Sequence, residues 1–124
     1  MAKILFICLF FFCGNLFSQQ EDIIASEYFK NGKFEKAIFE YSRLLNQKPN
    51  NTRYILQLVK AYRELERYDD AQNLLLETMS RSRYARYFVE LGYNYQLKDS
   101  ISQAKDNYQK AIETIKGNPR NIYF

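Results

Sequence analysis

From residue 20 onward, apolar and polar positions alternate with the period of a helix, and they do so in blocks. Ile55, Leu58, Val59, Tyr62 and Leu65 fall on one face of a helix predicted over about Thr52 to Leu65. Tyr68, Ala71, Leu74, Leu75 and Met79 make the stripe of the helix that follows. Before this pair, Ile24, Ala25 and Tyr28 precede Phe34, Ala37, Ile38, Tyr41, Leu44 and Leu45. After it, Tyr84, Phe88, Leu91 and Tyr95 precede Ile101, Ala104, Tyr108, Ala111 and Ile115. The pattern predicts an all-α chain of three helix pairs.

The pairs share a register. Gly32-Lys33-Phe34-Glu35-Lys36-Ala37-Ile38 aligns with Glu66-Arg67-Tyr68-Asp69-Asp70-Ala71-Gln72 and with Asp99-Ser100-Ile101-Ser102-Gln103-Ala104-Lys105. Ala37 and Ala71 are 34 positions apart, and Ala71 and Ala104 are 33. Tyr28, Tyr62 and Tyr95 lie at matching distances upstream, and Tyr41, Leu75 and Tyr108 downstream. A period of this size marks a stacked repeat, in which each unit needs its neighbour to bury an apolar face. The alanines are expected where helix backbones approach closely. Tyr28, Tyr41, Tyr62, Tyr68, Tyr95 and Tyr108 are expected in the core, their rings buried and their hydroxyls at the edge.

Turn chemistry falls between the stripes. Asn31-Gly32 breaks the first pair, and Pro49-Asn50-Asn51 separates the first unit from the second. Ser100 with Gln103 predicts a capping box, and Gly117 followed by Pro119 predicts a C-terminal stop. The units are predicted at about residues 19–51, 52–84 and 85–118. Ile122, Tyr123 and Phe124 read as the first turn of a missing fourth unit or as a tail.

The period, the Leu91-Gly92-x-x-Tyr95 stretch, the three alanines and Pro49-Asn50-Asn51 resemble the tetratricopeptide repeat over about Gln19 to Asn118. The resemblance implies a short right-handed α-solenoid whose first helices line a concave groove that holds a peptide or a partner helix. The residues it places in that groove are Arg53, Gln57, Lys60 and Arg63 on the second unit and Arg86, Glu90, Tyr93 and Gln96 on the third; Glu64 also lies off the apolar stripe. The groove is thus expected to be cationic. Val59 stands where the family usually carries glycine or alanine, and the second unit lacks the closing proline. The carboxylate clamp of some family members is not expected, because Asp22, Ser26 and Glu90 occupy its places.

The first twenty residues differ in kind. Lys3 precedes an unbroken apolar run from Ile4 to Phe12, followed by Gly14, Asn15 and Ser18. This is the layout of a secretory signal peptide, residues 1–18, and the run is shorter than the roughly 20 residues a spanning helix needs. Export to a bacterial periplasm or envelope is expected. An uncleaved membrane anchor is the alternative, and lipidation at Cys13 is disfavoured by Phe11 and Phe12.

Composition then narrows the chemistry. The 124-residue chain carries 18 basic and 14 acidic residues, no histidine and two cysteines, Cys8 and Cys13. Both cysteines and Lys3 leave with the leader, so 17 basic residues face 14 acidic ones, and packing alone must hold the fold. No metal-ligand cluster, phosphate loop or nucleophile–base pair is present, so no cofactor or metal is expected and an enzyme is not. Asp69-Asp70 reads as the acidic first turn of a helix. Mild, dispersed basicity is no nucleic-acid signature. Arg81, Arg83 and Arg86, interleaved with Tyr84 and Tyr87, are expected in a solvated loop between units, with an anionic partner site as the sharper alternative. The function these readings favour is a protein-interaction scaffold; the alternative is an assembly module that self-associates or continues into a longer repeat protein.

Overall fold

A computed structural model describes residues 22–118 and Arg120. Residues 1–21, which include the predicted signal peptide, Pro119 of the predicted helix stop, and the segment from Asn121 onward lie outside the described residues. Six helices follow one another: α1 over 22–30, α2 Phe34–Gln47, α3 Thr52–Glu64, α4 Tyr68–Arg81, α5 Ala85–Leu97 and α6 Ile101–Gly117. No strand occurs among the described residues. The helices pair as α1/α2, α3/α4 and α5/α6, and the pairs stack in chain order.

Each pair is closed by the same turn. The N–H of Lys33 bonds to the Tyr28 carbonyl at 2.8 Å, that of Arg67 to Tyr62 at 2.9 Å, and that of Ser100 to Tyr95 at 2.9 Å. One residue earlier, the N–H groups of Gly32, Glu66 and Asp99 bond to the carbonyls of Phe29, Arg63 and Gln96. These two bonds make a Schellman motif three times over, and they satisfy carbonyls that a helix end leaves without partners. The motif needs a left-handed residue. Gly32 supplies it at φ 72°, but Glu66 and Asp99 adopt it at φ 56° and 57°, where a side chain costs about 1–2 kcal/mol.

The same turn overrules the predicted capping box. Ser100 makes no side-chain capping bond, and its own N–H, the group Gln103 would reach, is already held by the Tyr95 carbonyl. Gly117 is likewise not left-handed: it ends α6 as its last helical residue, and Asn118 is extended. The entry to α3 does follow side-chain chemistry, since Asn51 Oδ1 accepts the Tyr54 N–H at 3.1 Å.

The core divides in two, and α3 belongs to both halves. Tyr54, Leu58 and Ala61 pack with Ala25, Ala37, Ile38, Tyr41 and Leu44 of the first pair. Ile55 and Val59 pack with Ala71, Leu75, Tyr87 and Leu91. Val59 is completely buried, so the departure at this position is filled by core. Ala37, Ala71 and Ala104 are buried at the close contacts, as the register required. Gly92 extends that logic to α5: a methyl there would stand 2.7 Å from the Tyr108 ring and 3.2 Å from the Ala104 carbonyl oxygen.

The tyrosines need correction. Of the six expected in the core only Tyr41 is fully buried; Tyr28, Tyr62 and Tyr95 are half-buried at the edges of the two clusters, and Tyr68 and Tyr108 are half-buried outside them. Tyr54 and Tyr87 are buried instead. Burial pushes the Tyr41 hydroxyl above its ordinary pKa, and the Asp22 carboxylate adds to the shift. Tyr87 is raised by burial too, although its hydroxyl donates to Thr52 Oγ1 at 3.1 Å.

Candidate partner-binding cleft

The first helices of the second and third pairs, α3 and α5, bound a cleft of about 480 Å³. Its lining is Lys60, Arg63 and Glu64 from α3, Glu66 and Tyr68 from the turn into α4, and Glu90, Tyr93 and Leu97 from α5. Four of the residues assigned to the groove from sequence meet here: Lys60, Arg63, Glu90 and Tyr93. Glu64, which the sequence also set off the apolar stripe, joins them.

Arg63 and Glu90 do not face solvent. Their side chains are 8% and 9% exposed, and Arg63 Nη1 meets Glu90 Oε2 at 2.6 Å. Arg63 Nη2 also donates to the Glu90 backbone carbonyl, and Nε reaches Asn94 Oδ1 at 3.4 Å. Arg86, one turn before Glu90 on α5, donates to the other carboxylate oxygen at 2.7 Å. Asn94, fully buried, donates from Nδ2 to the Tyr68 carbonyl at 2.9 Å. One carboxylate thus holds two guanidinium groups, and the network ties α3, α5 and the start of α4 together. A buried charge needs a partner and hydrogen bonds to be tolerated, and here it has them.

The expected cationic groove is therefore corrected. Arg63 and Arg86 are neutralised internally, and two carboxylates, Glu64 and Glu66, line the cleft with no ion-pair partner among the described residues. Lys60 is exposed. Tyr93 is 45% exposed, with the Arg63 guanidinium 4.9 Å from its ring centroid. The other assigned residues lie outside the cleft lining. Arg53 reaches across to the first pair and meets Asp22 at 2.6 Å; Gln57 is half-buried; Gln96 is exposed and accepts the Tyr108 hydroxyl at 2.9 Å.

The Arg81–Arg86 segment is not one basic loop. Arg81 ends α4 and meets Glu77 at 3.4 Å, Arg83 lies 5.7 Å from the Phe88 ring centroid, and Arg86 sits in α5 with Glu90. Sequence reasoning missed Glu66, Tyr68 and Leu97 as cleft residues. Glu66 carried a findable signal, since it aligns with Gly32 at the closing turn and so had to project beside the helix end.

The architecture is that of a helical-repeat interaction module. Residues 28–86 match the family model described as tetratricopeptide repeat, and the same turn and alanine register continues through α6. The matched segment is thus of tetratricopeptide-repeat type. The chain is similar to a crystal structure of MamA protein at 26% identity and TM-score 0.65, over 83% of this chain and 57% of that one. It thus spans little more than half of that relative's length. The fold is shared at 20% identity and TM-score 0.70 with SycD, the type III secretion translocator chaperone of Yersinia enterocolitica, over 82% and 78% of the two chains. It is also shared at 22% identity and TM-score 0.66 with the first repeat domain of Spaghetti (RPAP3) bound to the HSP90 peptide SRMEEVD, over 85% and 86%. No curated protein matches the sequence.

Proposed function

We propose that this protein is a non-enzymatic scaffold of the bacterial cell envelope that holds an extended or helical segment of a partner protein between α3 and α5. The carrying observation is the cleft itself: Tyr93 and Lys60 stand exposed in it beside Arg63 and Glu90, which are locked to each other. Neighbours of the same fold support a protein ligand, one of them being bound to a peptide. The apolar leader supports export.

The test is capture of partners from an envelope extract by photo-crosslinking from position 93, with Lys60→Ala/Tyr93→Ala as control. A prey held by the wild-type chain and lost in the control supports the reading. The same preys on both contradict it. Arg63 must stay out of the control, because its loss would damage the fold. Fusion of the leader to a reporter active only outside the cytoplasm tests export, and no signal from that fusion would remove the envelope role.

A second reading has its own observation. Ile101 and Ile112, three turns apart on α6, are 50% and 46% exposed, and Val89 on α5 is 39% exposed. Such exposed apolar side chains suit self-association or the docking of a further unit. A monomer in sedimentation whose mass is unchanged by Ile112→Glu would reject the self-association form.

A further inference from the structure

The charges of the cleft say what kind of segment it takes, given that it binds one. Three carboxylates and two cations line it. Glu90 is already bonded to Arg63 within the cleft and to Arg86 beside it. What remains for a ligand is Lys60 against Glu64 and Glu66, all three exposed. Glu64 is the last residue of α3 and Leu97 the last of α5, so two helix C-termini, the negative ends of their dipoles, meet the acidic end of the cleft. The aromatic face of Tyr93 and the side chain of Leu97 adjoin the same space and offer apolar contact to an alkyl stem.

We propose that the cleft selects a basic peptide segment, with a partner lysine or arginine seated toward Glu64 and Glu66 and its stem laid along Tyr93 and Leu97. Glu90 is the specificity-determining residue of this arrangement. By occupying Arg63 and Arg86 it leaves an incoming carboxylate only Lys60 to meet, while Glu64 and Glu66 repel it. The proposal rests on the groove reading above and sharpens it: the acidic peptide held by the Spaghetti repeat domain is the wrong sign for this chain.

The experiment is selection of a displayed random dodecapeptide library on the full chain. The most enriched peptide is then measured by fluorescence anisotropy against wild type, Glu64→Gln/Glu66→Gln and Tyr93→Ala. The substituted positions are exposed, and unchanged melting temperatures will show that the variants fold. The expected result is enrichment in Lys and Arg, with affinity falling about fivefold in the double glutamine variant, the sum of two exposed charge pairs. Enrichment in Asp and Glu, or basic peptides whose affinity ignores the glutamine changes, would overturn the proposal and leave peptide binding standing. No enrichment at all would overturn the groove reading itself.

Discussion

The two joints of this short array are built differently. Between the first and second pairs, α3 presents Tyr54, Leu58 and Ala61 to an apolar cluster; two charge pairs cross that joint, Arg67 with Glu35 at the surface and Arg53 with the largely buried Asp22 carboxylate, which is bonded through one oxygen only. Between the second and third pairs the apolar cluster of Ile55, Val59, Tyr87 and Leu91 is accompanied by a buried polar network of Arg63, Glu90 and Asn94. The first joint rests mainly on apolar contacts, in which residues of similar volume exchange at modest cost. The second has one geometry in which every buried charge is bonded, and a shift of one residue leaves a carboxylate or a guanidinium without a partner. The cleft proposed to hold a partner sits on the second joint. A rigid floor under Tyr93 and Lys60 reduces the ordering that a partner must impose when it binds.

The largest expected effect breaks that contrast outright. Glu90→Leu should destabilise by about 3–5 kcal/mol, because it strands Arg63 in a buried site, whereas Glu35→Gln, which breaks the exposed Arg67 pair at the first joint, should cost about 0–1 kcal/mol, as surface pairs do. Chemical denaturation of the two variants decides between them. Equal losses would erase the distinction.

Packing at the joints comes next. Ala71→Leu should cost about 1–3 kcal/mol by overpacking a residue with no exposed surface. Gly92→Ala should cost about 1–2 kcal/mol, since the new methyl meets the Tyr108 ring and the Ala104 carbonyl. A thermal melt at or above the wild-type value for either would mean that α5 and α6, or α3 and α4, lie further apart than described.

Alkaline titration sharpens the comparison from the side of the second joint. The Tyr87 pKa is raised in the folded state, so the fold binds the phenolic proton more tightly than the open chain. The stability this provides is complete below the ordinary value of about 10 and is lost as pH rises through the folded value. Stability of wild type should therefore fall above about pH 10 more steeply than that of Tyr87→Phe. Parallel curves would remove Tyr87 from the balance. The smallest effect is a gain: Glu66→Gly should stabilise by about 0.5–1 kcal/mol by relieving a left-handed side chain, while Gly32→Ala at the equivalent turn should lose a similar amount.

The difference between the joints also explains what could be read from the sequence. The apolar joint is periodic, so the stripes, the helix bounds of α3 and the three alanines were legible from spacing alone. A charged residue carries no such mark: Arg63 and Glu90 fall off the apolar stripe whether they face water or each other, and 27 residues separate them. Only the stacking of α3 on α5 brings them to 2.6 Å. Tyr87 shows the same blindness in reverse, since its place among Arg81, Arg83 and Arg86 concealed that α5 turns it inward. Ser100 was legible as a cap only when read locally; its N–H had already been taken by the turn before it.

The central claim is that Arg63 and Glu90 bind each other rather than a ligand, and a double-mutant cycle with Arg63→Met and Glu90→Leu tests it most directly. Denaturation of the four proteins should show each single variant strongly destabilised and the double variant well short of their sum, with a coupling of about 1–3 kcal/mol. Two single variants as stable as wild type, with losses that simply add, would put both side chains back in solvent and return the cleft to a cationic groove.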